Sequence, residues 1–144
     1  MAQIIGFNLT KISVEREKEL KGQITIKYNL EIPEAKKEQL SLSKDKDVLS
    51  FDFKFKIDYE PKFANILFEG NVLLLAEPKD TKEILKGWKK KGEGIVSSVR
   101  LLVYNTVLTK CSVKALELED DLNLPSHLPL PKLAPAKQGS SYTG

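Results

Sequence analysis

Cysteine and histidine, the side chains most used in nucleophilic and metal sites, are almost missing from this sequence. Its 144 residues include one cysteine, Cys111, and one histidine, His127. A lone cysteine excludes an internal disulfide and is typical of a reducing compartment, so we expect a cytoplasmic protein. A Cys–His nucleophile pair would require these two residues to be adjacent, and a zinc site would require further ligands at suitable spacing. The sequence therefore predicts no enzyme activity, no metal site and no cofactor.

Arginine is almost as scarce. The net charge is +3, from 23 basic and 20 acidic residues, and the only arginines are Arg16 and Arg100. Proteins that read nucleic acids usually rely on arginine forks and a concentrated basic face. Here Lys and Glu alternate along the chain, and the main exception, Lys89-Lys90-Lys91, is interpreted as a solvated helix end. We expect no nucleic-acid partner.

The chain also has no long apolar run. None reaches the roughly 20 residues needed to span a bilayer, and residues 1–20 do not follow the pattern of a signal peptide. We therefore expect no membrane association. With 41% hydrophobic and 30% charged residues the composition is globular, which predicts a single domain over 1–133 and a disordered tail over 134–144.

The first half of the chain alternates between apolar and polar residues with a period of two. Segments 23–32 and 49–59 alternate cleanly, 4–14 is a noisier strand, and 63–77 forms a fourth. Side chains alternate across a strand, so each segment predicts a strand with one apolar and one polar face. The links are short, which predicts an antiparallel meander with one face in water.

The second half has a helical period. Asp80 or Thr81 can begin a short helix, which carries Ile84, Leu85 and Trp88 on one side. After a glycine break, a long helix is predicted from about Glu93 to Glu117, and prolines forbid a helix from 125 to 135. The fold class is therefore α+β: a four-stranded antiparallel sheet, then a short and a long helix packed on one face.

The long helix carries two apolar stripes when it is placed on a wheel at about 100° per residue. The first stripe consists of Ile95, Val96, Val99, Leu102, Val103, Thr106, Val107 and Val113. The second consists of Leu101, Tyr104, Leu108, Cys111 and Ala115. One stripe suffices to cover a sheet, so the second predicts an interface with another copy of the chain, as a dimer or a dimer of dimers. The alternative is a central helix wrapped by the tail of its own chain.

In this order the elements resemble the SecB family of export chaperones, including SecB-like proteins of archaea and of toxin–antitoxin systems. The resemblance covers about residues 3 to 133. Its most specific part is "LNLPSHLPLPKL", residues 122 to 133, which is similar to the Pro/Leu-rich segment that follows the long helix in that family. The resemblance implies a homotetramer that holds unfolded polypeptide clients without ATP.

This chain departs from the family in two ways. SecB proteins usually continue into a second helix, which "APAKQGSSYTG" is not able to form. They also present carboxylates to the translocation motor SecA, whereas the polar face of segment 49–59 here is mixed in sign, with Asp52, Lys54, Lys56 and Asp58. These departures argue against SecA docking more than against a chaperone function.

Holding an unfolded client requires an apolar groove that stays open to water. The candidate groove walls are Val14, Leu20, Trp88, Leu122, Leu124, Leu128, Leu130 and Leu133. For each leucine the alternative is packing on its own sheet. Two other functions remain open: a lipid or other hydrophobic ligand enclosed beneath the long helix, or a non-catalytic assembly subunit.

Overall fold

The computed structural model describes residues 2–19, 22–39, 45–90 and 94–131. The predicted tail over 134–144 lies outside these ranges. The described residues form strands β1 (Gln3–Arg16), β2 (Thr25–Lys37), β3 (Asp47–Glu60) and β4 (Ala64–Ala76), followed by helices α1 (Pro78–Gly87) and α2 (Ile95–Asp121). The predicted α+β class is confirmed. None of the helices in these ranges has the length and hydropathy needed to cross a bilayer.

The strands form one antiparallel sheet in the order β1-β4-β3-β2. The meander prediction is correct for β2, β3 and β4, but it is wrong for β1. That strand pairs with β4 on the far side of the sheet, so that Phe7 faces Val72 and Val14 faces Ile66. The segment after Arg16 is therefore a crossover between the two edges of the sheet.

The two faces of the sheet separate apolar from polar side chains as the period of two predicts. We call the face that the helices cover the inner face. On β3 it carries the predicted row Leu49, Phe51, Phe53, Phe55, Ile57 and Tyr59, all buried. We call the opposite face the outer face. It carries ion pairs between neighbouring strands, such as Lys36–Asp52 at 3.6 Å and Lys11–Glu69 at 3.9 Å. Its charges are therefore mixed in sign.

Helix α1 begins earlier than predicted. Pro78 takes the first helical position, where a missing N–H costs nothing. Thr81 is not a cap, because it is buried and its hydroxyl donates to Asp47 at 2.7 Å. The residue after the helix, Trp88, enters the core, stacks at a tilt on Phe51 and donates its indole N–H to the carbonyl of Ile32 at 2.7 Å.

Helix α2 lies on the inner face through a single row of side chains spaced mostly four residues apart. We call this the inner row: Val96, Val99, Val103, Val107, Cys111, Ala115 and Glu119, all buried. The assignment of Cys111 and Ala115 to an outward stripe was therefore wrong. A row of i, i+4 positions rotates by about 40° per step around the helix, and such a row follows the twist of a sheet better than a straight stripe does.

Gly70 allows the sheet to pack closely at the centre of β4. A Cβ at this position would fall on the carbonyl oxygen of Asn8 and within 2.9 Å of the Phe53 ring. Phe53 in turn stacks on Phe7, with ring centroids 5.3 Å apart. The register of β1 shifts opposite Gly70, which is where a β-bulge in the edge strand is accommodated.

We expect Gly70→Ala to destabilise the fold by about 1–3 kcal/mol, because the added methyl overpacks a fixed backbone. Gly6→Ala is the matched control, since its Cβ would meet side-chain atoms of Leu73 and no backbone, with the nearest, Cδ1, at 3.2 Å. Urea denaturation of the two variants provides the comparison. Equal loss of stability in both would show that the close approach at Gly70 does not constrain the sheet.

Candidate functional site

The inner face of the sheet is not evenly covered. Helix α2 packs against β2, β3 and β4, whereas the main packing of β1 is against β4. We call the inner-facing side chains of this edge strand the β1 row: Ile4, Phe7, Leu9, Ile12 and Val14. Ile12 is 45% exposed, and the other members are partly exposed. A band of apolar surface therefore lies open beside α2.

The outward side of α2 is a second apolar surface. Leu101 is 65% exposed and Val113 is 58% exposed, with Leu102 between them along the helix. Asn105 and Thr109 share this side, so the surface mixes apolar and small polar groups. Of the five predicted interface residues, Leu101 lies fully in this surface. Tyr104 and Leu108 are half-buried at its margin.

The predicted groove residues do not form one surface. Trp88 and Leu124 are buried in the core, so neither opens to solvent in the single chain. For Trp88 the reason is its packing between Phe51 and Tyr104. Val14 belongs to the β1 row. Leu122 and Leu128 are half-buried, and Leu130 is 53% exposed. Leu20 and Leu133 lie outside the described residues.

The Pro/Leu segment turns back across the inner face. We call residues 123–131 the strap. Helix α2 ends when Asn123 adopts a left-handed conformation with φ of 54°, as residues after a helix C-terminus often do. The backbone N–H of Leu124 then donates to the carbonyl of Glu119 at 2.8 Å. Leu124 is buried, and the chain continues without helix or strand, with a bend at His127 and Leu128, against Tyr59 of β3 and Tyr28 of β2.

The Glu119 carboxylate, the last member of the inner row, joins the strap to the sheet. It is 2% exposed and accepts a hydrogen bond from the hydroxyl of Tyr59 on β3. It also accepts the backbone N–H of His127 at 3.0 Å, and His127 Nδ1 lies 2.9 Å from Oε1. A buried carboxylate is tolerated only when its oxygens are satisfied in this way. Sequence patterns gave no sign of this contact, because Glu119 stands among other acidic residues, Glu117, Asp120 and Asp121, at the end of the helix.

Tyr59 provides the sheet side of this cluster. Its hydroxyl lies 3.0 Å from the carbonyl oxygen of Pro125, so it contacts the strap directly. Burial raises the pKa of Tyr59 above its ordinary value, and the hydrogen bond to Glu119 raises it further. The phenol therefore stays protonated, and so able to donate, to higher pH than an exposed tyrosine.

His127 packs its ring against aromatic side chains of the inner face. The ring stands edge-on to Tyr28 and to Phe55, with centroid distances of 6.1 and 6.3 Å. Its side chain is 1% exposed. Tyr28 is nevertheless 55% exposed, so the aromatic surface beneath the strap continues into open surface on β2.

Ser112, His127 and Glu119 stand in the order of a hydroxyl–imidazole–carboxylate triad. His127 Nε2 lies 3.3 Å from Ser112 Oγ, and Nδ1 faces Glu119. In a hydrolase, backbone N–H groups beside the nucleophile stabilise the oxyanion. Ser112 lies inside α2, where backbone N–H groups are used by the helix, and the imidazole is buried. These features favour a structural role for the three residues. Within the described ranges, no group of three or more His, Cys, Asp or Glu side chains forms a site for a metal ion.

Arg16 stabilises the start of the crossover, where the chain leaves β1. Its guanidinium donates to the carbonyl of Glu17 at 2.9 Å and lies 4.9 Å from the centroid of the Phe63 ring. The backbone N–H of Glu17 donates to the carbonyl of Phe63 at 2.8 Å. A groove of about 990 Å³ opens here between the end of β1 and the β3–β4 turn, with Lys56, Asp58 and other charged residues on its walls.

Arg100 acts in the same way at the other end of the molecule. Its guanidinium lies 4.5 Å from the centroid of the Trp88 ring and donates to the carbonyls of Trp88 and, at 3.2 Å, Lys90. Both arginines therefore use their donors on backbone carbonyls at chain reversals. Charge counting alone does not reveal this role.

The labelling rate of the Cys111 thiol measures how tightly α2 packs on the sheet. The thiol is buried in the inner row, and burial raises its pKa to about 12. Because the thiolate is the reactive form, we expect a thiol reagent at pH 8 to label the folded protein slowly, and rapidly once urea unfolds it. The labelling rate should not change when the protein is diluted. Faster labelling on dilution would instead place Cys111 at an interface between subunits.

Comparison with solved structures identifies the architecture. The chain is similar to the Mycobacterium tuberculosis SecB-like chaperone Rv1957, solved in complex with a ChAD peptide from the Rv1956 HigA1 antitoxin. The TM-score is 0.54 at 16% sequence identity, over 92% of this chain and 90% of that chain. The fold is SecB-like. No known family model matches the sequence, and no curated protein matches it.

The SecB-like fold agrees with the order of elements on which the sequence resemblance rested. It also accounts for the crossover after Arg16, which carries the chain from one sheet edge to the other. At this level of identity the similarity shows the fold alone. The open surfaces described above have to be judged by their own chemistry.

Proposed function

We propose that this protein is an ATP-independent holdase chaperone, which binds apolar segments of unfolded polypeptides and does not catalyse a reaction. The observation that carries the proposal is the open β1 row beside α2. An unfolded segment is recognised through apolar side chains and backbone with little sequence specificity. An apolar surface rimmed by charged residues fits that use. The peptide bound to the similar SecB-like chaperone supports a polypeptide as the ligand.

The packing beneath α2 favours this proposal over an enclosed lipid site. A lipid requires a cavity of several hundred cubic ångströms between helix and sheet. In this chain Phe55 and Phe68 fill that space from the sheet, and Val103 and Val107 meet them from the helix, all without exposed surface. The apolar surface that is left lies beside the helix and faces water.

A holdase test with a point variant examines the β1 row. A half-exposed isoleucine contributes on the order of 1 kcal/mol to binding an apolar segment, so Ile12→Gln should weaken client binding about fivefold. Lys11→Gln is the matched control, because Lys11 is the adjacent residue on the outer face. Light scattering of an unfolding client, titrated with each variant, measures the effect. If wild-type protein fails to suppress aggregation, the holdase proposal is wrong; if Ile12→Gln protects as well as wild type, the β1 row is not the surface used.

We further propose that the outward surface of α2 joins copies of the chain into a dimer or a dimer of dimers. Leu101 and Val113 are more exposed than large apolar side chains usually are, and self-association would remove them from water. Several weak client sites on one assembly would then bind one chain by avidity.

Leu101→Glu should dissociate this assembly without unfolding the subunit, because an unpaired charge in a dry interface costs several kcal/mol. Gln39→Glu introduces the same charge at an exposed position away from α2 and is the control. Sedimentation velocity at micromolar concentration distinguishes the species. A wild-type monomer under these conditions would contradict the assembly proposal.

A further inference from the structure

The strap has the chemistry of the ligand that the proposed function requires. It is an apolar, proline-rich segment without helix or strand, and its first part lies on aromatic side chains of the inner face. Pro125, Pro129 and Pro131 lack backbone N–H groups, so these positions are unable to donate to a strand ladder. Contact with the inner face is therefore made by apolar side chains and by a few single backbone hydrogen bonds, such as that from Tyr59 to the carbonyl of Pro125, as a bound client segment would make it.

We call the aromatic surface beneath the strap the floor. It consists of Tyr28, Phe55 and Tyr59 from β2 and β3. Phe55 and Tyr59 have no exposed surface while the strap is in place, and Tyr28 continues the floor outward. The carbonyl of Pro125 and the ring of His127 contact this floor from above. Removal of the strap would leave an apolar surface next to an aromatic side chain that is already exposed.

The polar attachment of the strap centres on Glu119 and on Tyr59, which donates to Glu119 and lies 3.0 Å from the carbonyl oxygen of Pro125. Among the described residues, the hydrogen bonds from strap N–H groups to the rest of the chain include Leu124 N–H to the Glu119 carbonyl and His127 N–H to its carboxylate. The imidazole of His127 contacts the same carboxylate and Ser112. Beyond Leu128 the strap is exposed. Loss of the carboxylate would therefore remove the hydrogen bonds that hold His127 on the floor, while leaving the inner row from Val96 to Ala115 in place.

We propose that the strap is a releasable occupant of a polypeptide-binding floor, that Glu119 fastens it, and that the uncovered floor binds an extended apolar segment of another polypeptide. This inference rests on the proposed function for its ligand and adds a second, regulated surface to the β1 row. The strap belongs to the same chain as the floor. It therefore competes with a free client segment at an effective concentration in the millimolar range. Its prolines restrict it in the released state, which lowers the entropy cost of its return. Weak clients are thereby excluded from the floor and strong ones displace the strap.

Glu119→Gln tests the fastening, because it keeps the shape of the side chain and removes the charge. Glu117→Gln is the matched control, since Glu117 lies on the same helix, is exposed and pairs only with Lys114 at 3.5 Å among the described residues. Hydrogen exchange should accelerate at the amides of 124–128 in Glu119→Gln and not in the control. Client protection should rise in the same variant although its melting temperature falls. A purely structural role predicts that both fall together, and that result would overturn the inference.

A peptide with the sequence of residues 122–131, LNLPSHLPLP, tests the floor directly. Fluorescence anisotropy should show that Glu119→Gln binds this peptide on the order of tenfold more tightly than wild type, because apparent affinity follows the fraction of open molecules. A scrambled peptide of the same composition should bind less. Absence of binding to Glu119→Gln, when circular dichroism shows it folded, would overturn the inference. If the peptide binds but no form of the protein protects a client, the strap inference stands and the holdase proposal fails.

Discussion

The whole architecture depends on the fit between small side chains on one helix and large ones on one sheet. Apart from Glu119 at its end, the inner row of α2 is built from valines, a cysteine and an alanine, and it meets a face rich in phenylalanine and other large apolar side chains. Interiors pack to crystal-like density only when large groups are opposed by small ones. This complementarity seats α2 closely on the sheet. It also makes the contact narrow, since a single row of short side chains covers little width.

Because that contact is narrow, α2 leaves parts of the inner face uncovered on both sides. These parts are the surfaces proposed to bind polypeptides. On the β2 side the strap covers what the helix leaves bare, and the Glu119 carboxylate secures it. On the β1 side no described segment does the same, so the β1 row is left partly open. One edge of the core is thus covered by the chain itself, and the other by water or a partner. The difference follows from where the left-handed turn at Asn123 directs the chain after α2.

Much of this fold can be predicted from local pattern. The alternation in 49–59 identified the inner face of β3 correctly, because a period of two leaves no choice of side. The order of the strands was less accessible, since nothing local to β1 indicates that its partner is β4. The helix was misjudged in detail for a geometric reason. A straight stripe was assumed, whereas a twisted sheet takes an i, i+4 row, and this moved Cys111 and Ala115 from the outside to the inside.

The polar cluster at the end of α2 was beyond sequence reasoning altogether. Glu119 stands among acidic neighbours that face water, and His127 lies between prolines. Their meeting depends on the left-handed turn at Asn123 and on Tyr59, which precedes Glu119 by 60 residues. Local patterns give no information on a contact that is assembled from three separate elements. The β1 row was only partly foreseen, because a strand's exposure depends on what covers it and not on its own residues.

The inner row also fixes how many residues can separate Val96 from Glu119 along α2. Each residue inserted into an α-helix rotates everything beyond it by about 100° and advances it by about 1.5 Å. An insertion or deletion between Val96 and Glu119 would therefore swing the carboxylate away from Tyr59 and misdirect the strap. The residue count from Val96 to Glu119 is therefore fixed by the packing of the helix on the sheet. Among distant relatives that keep this cluster, the length of the helix should vary less than the sequence along it.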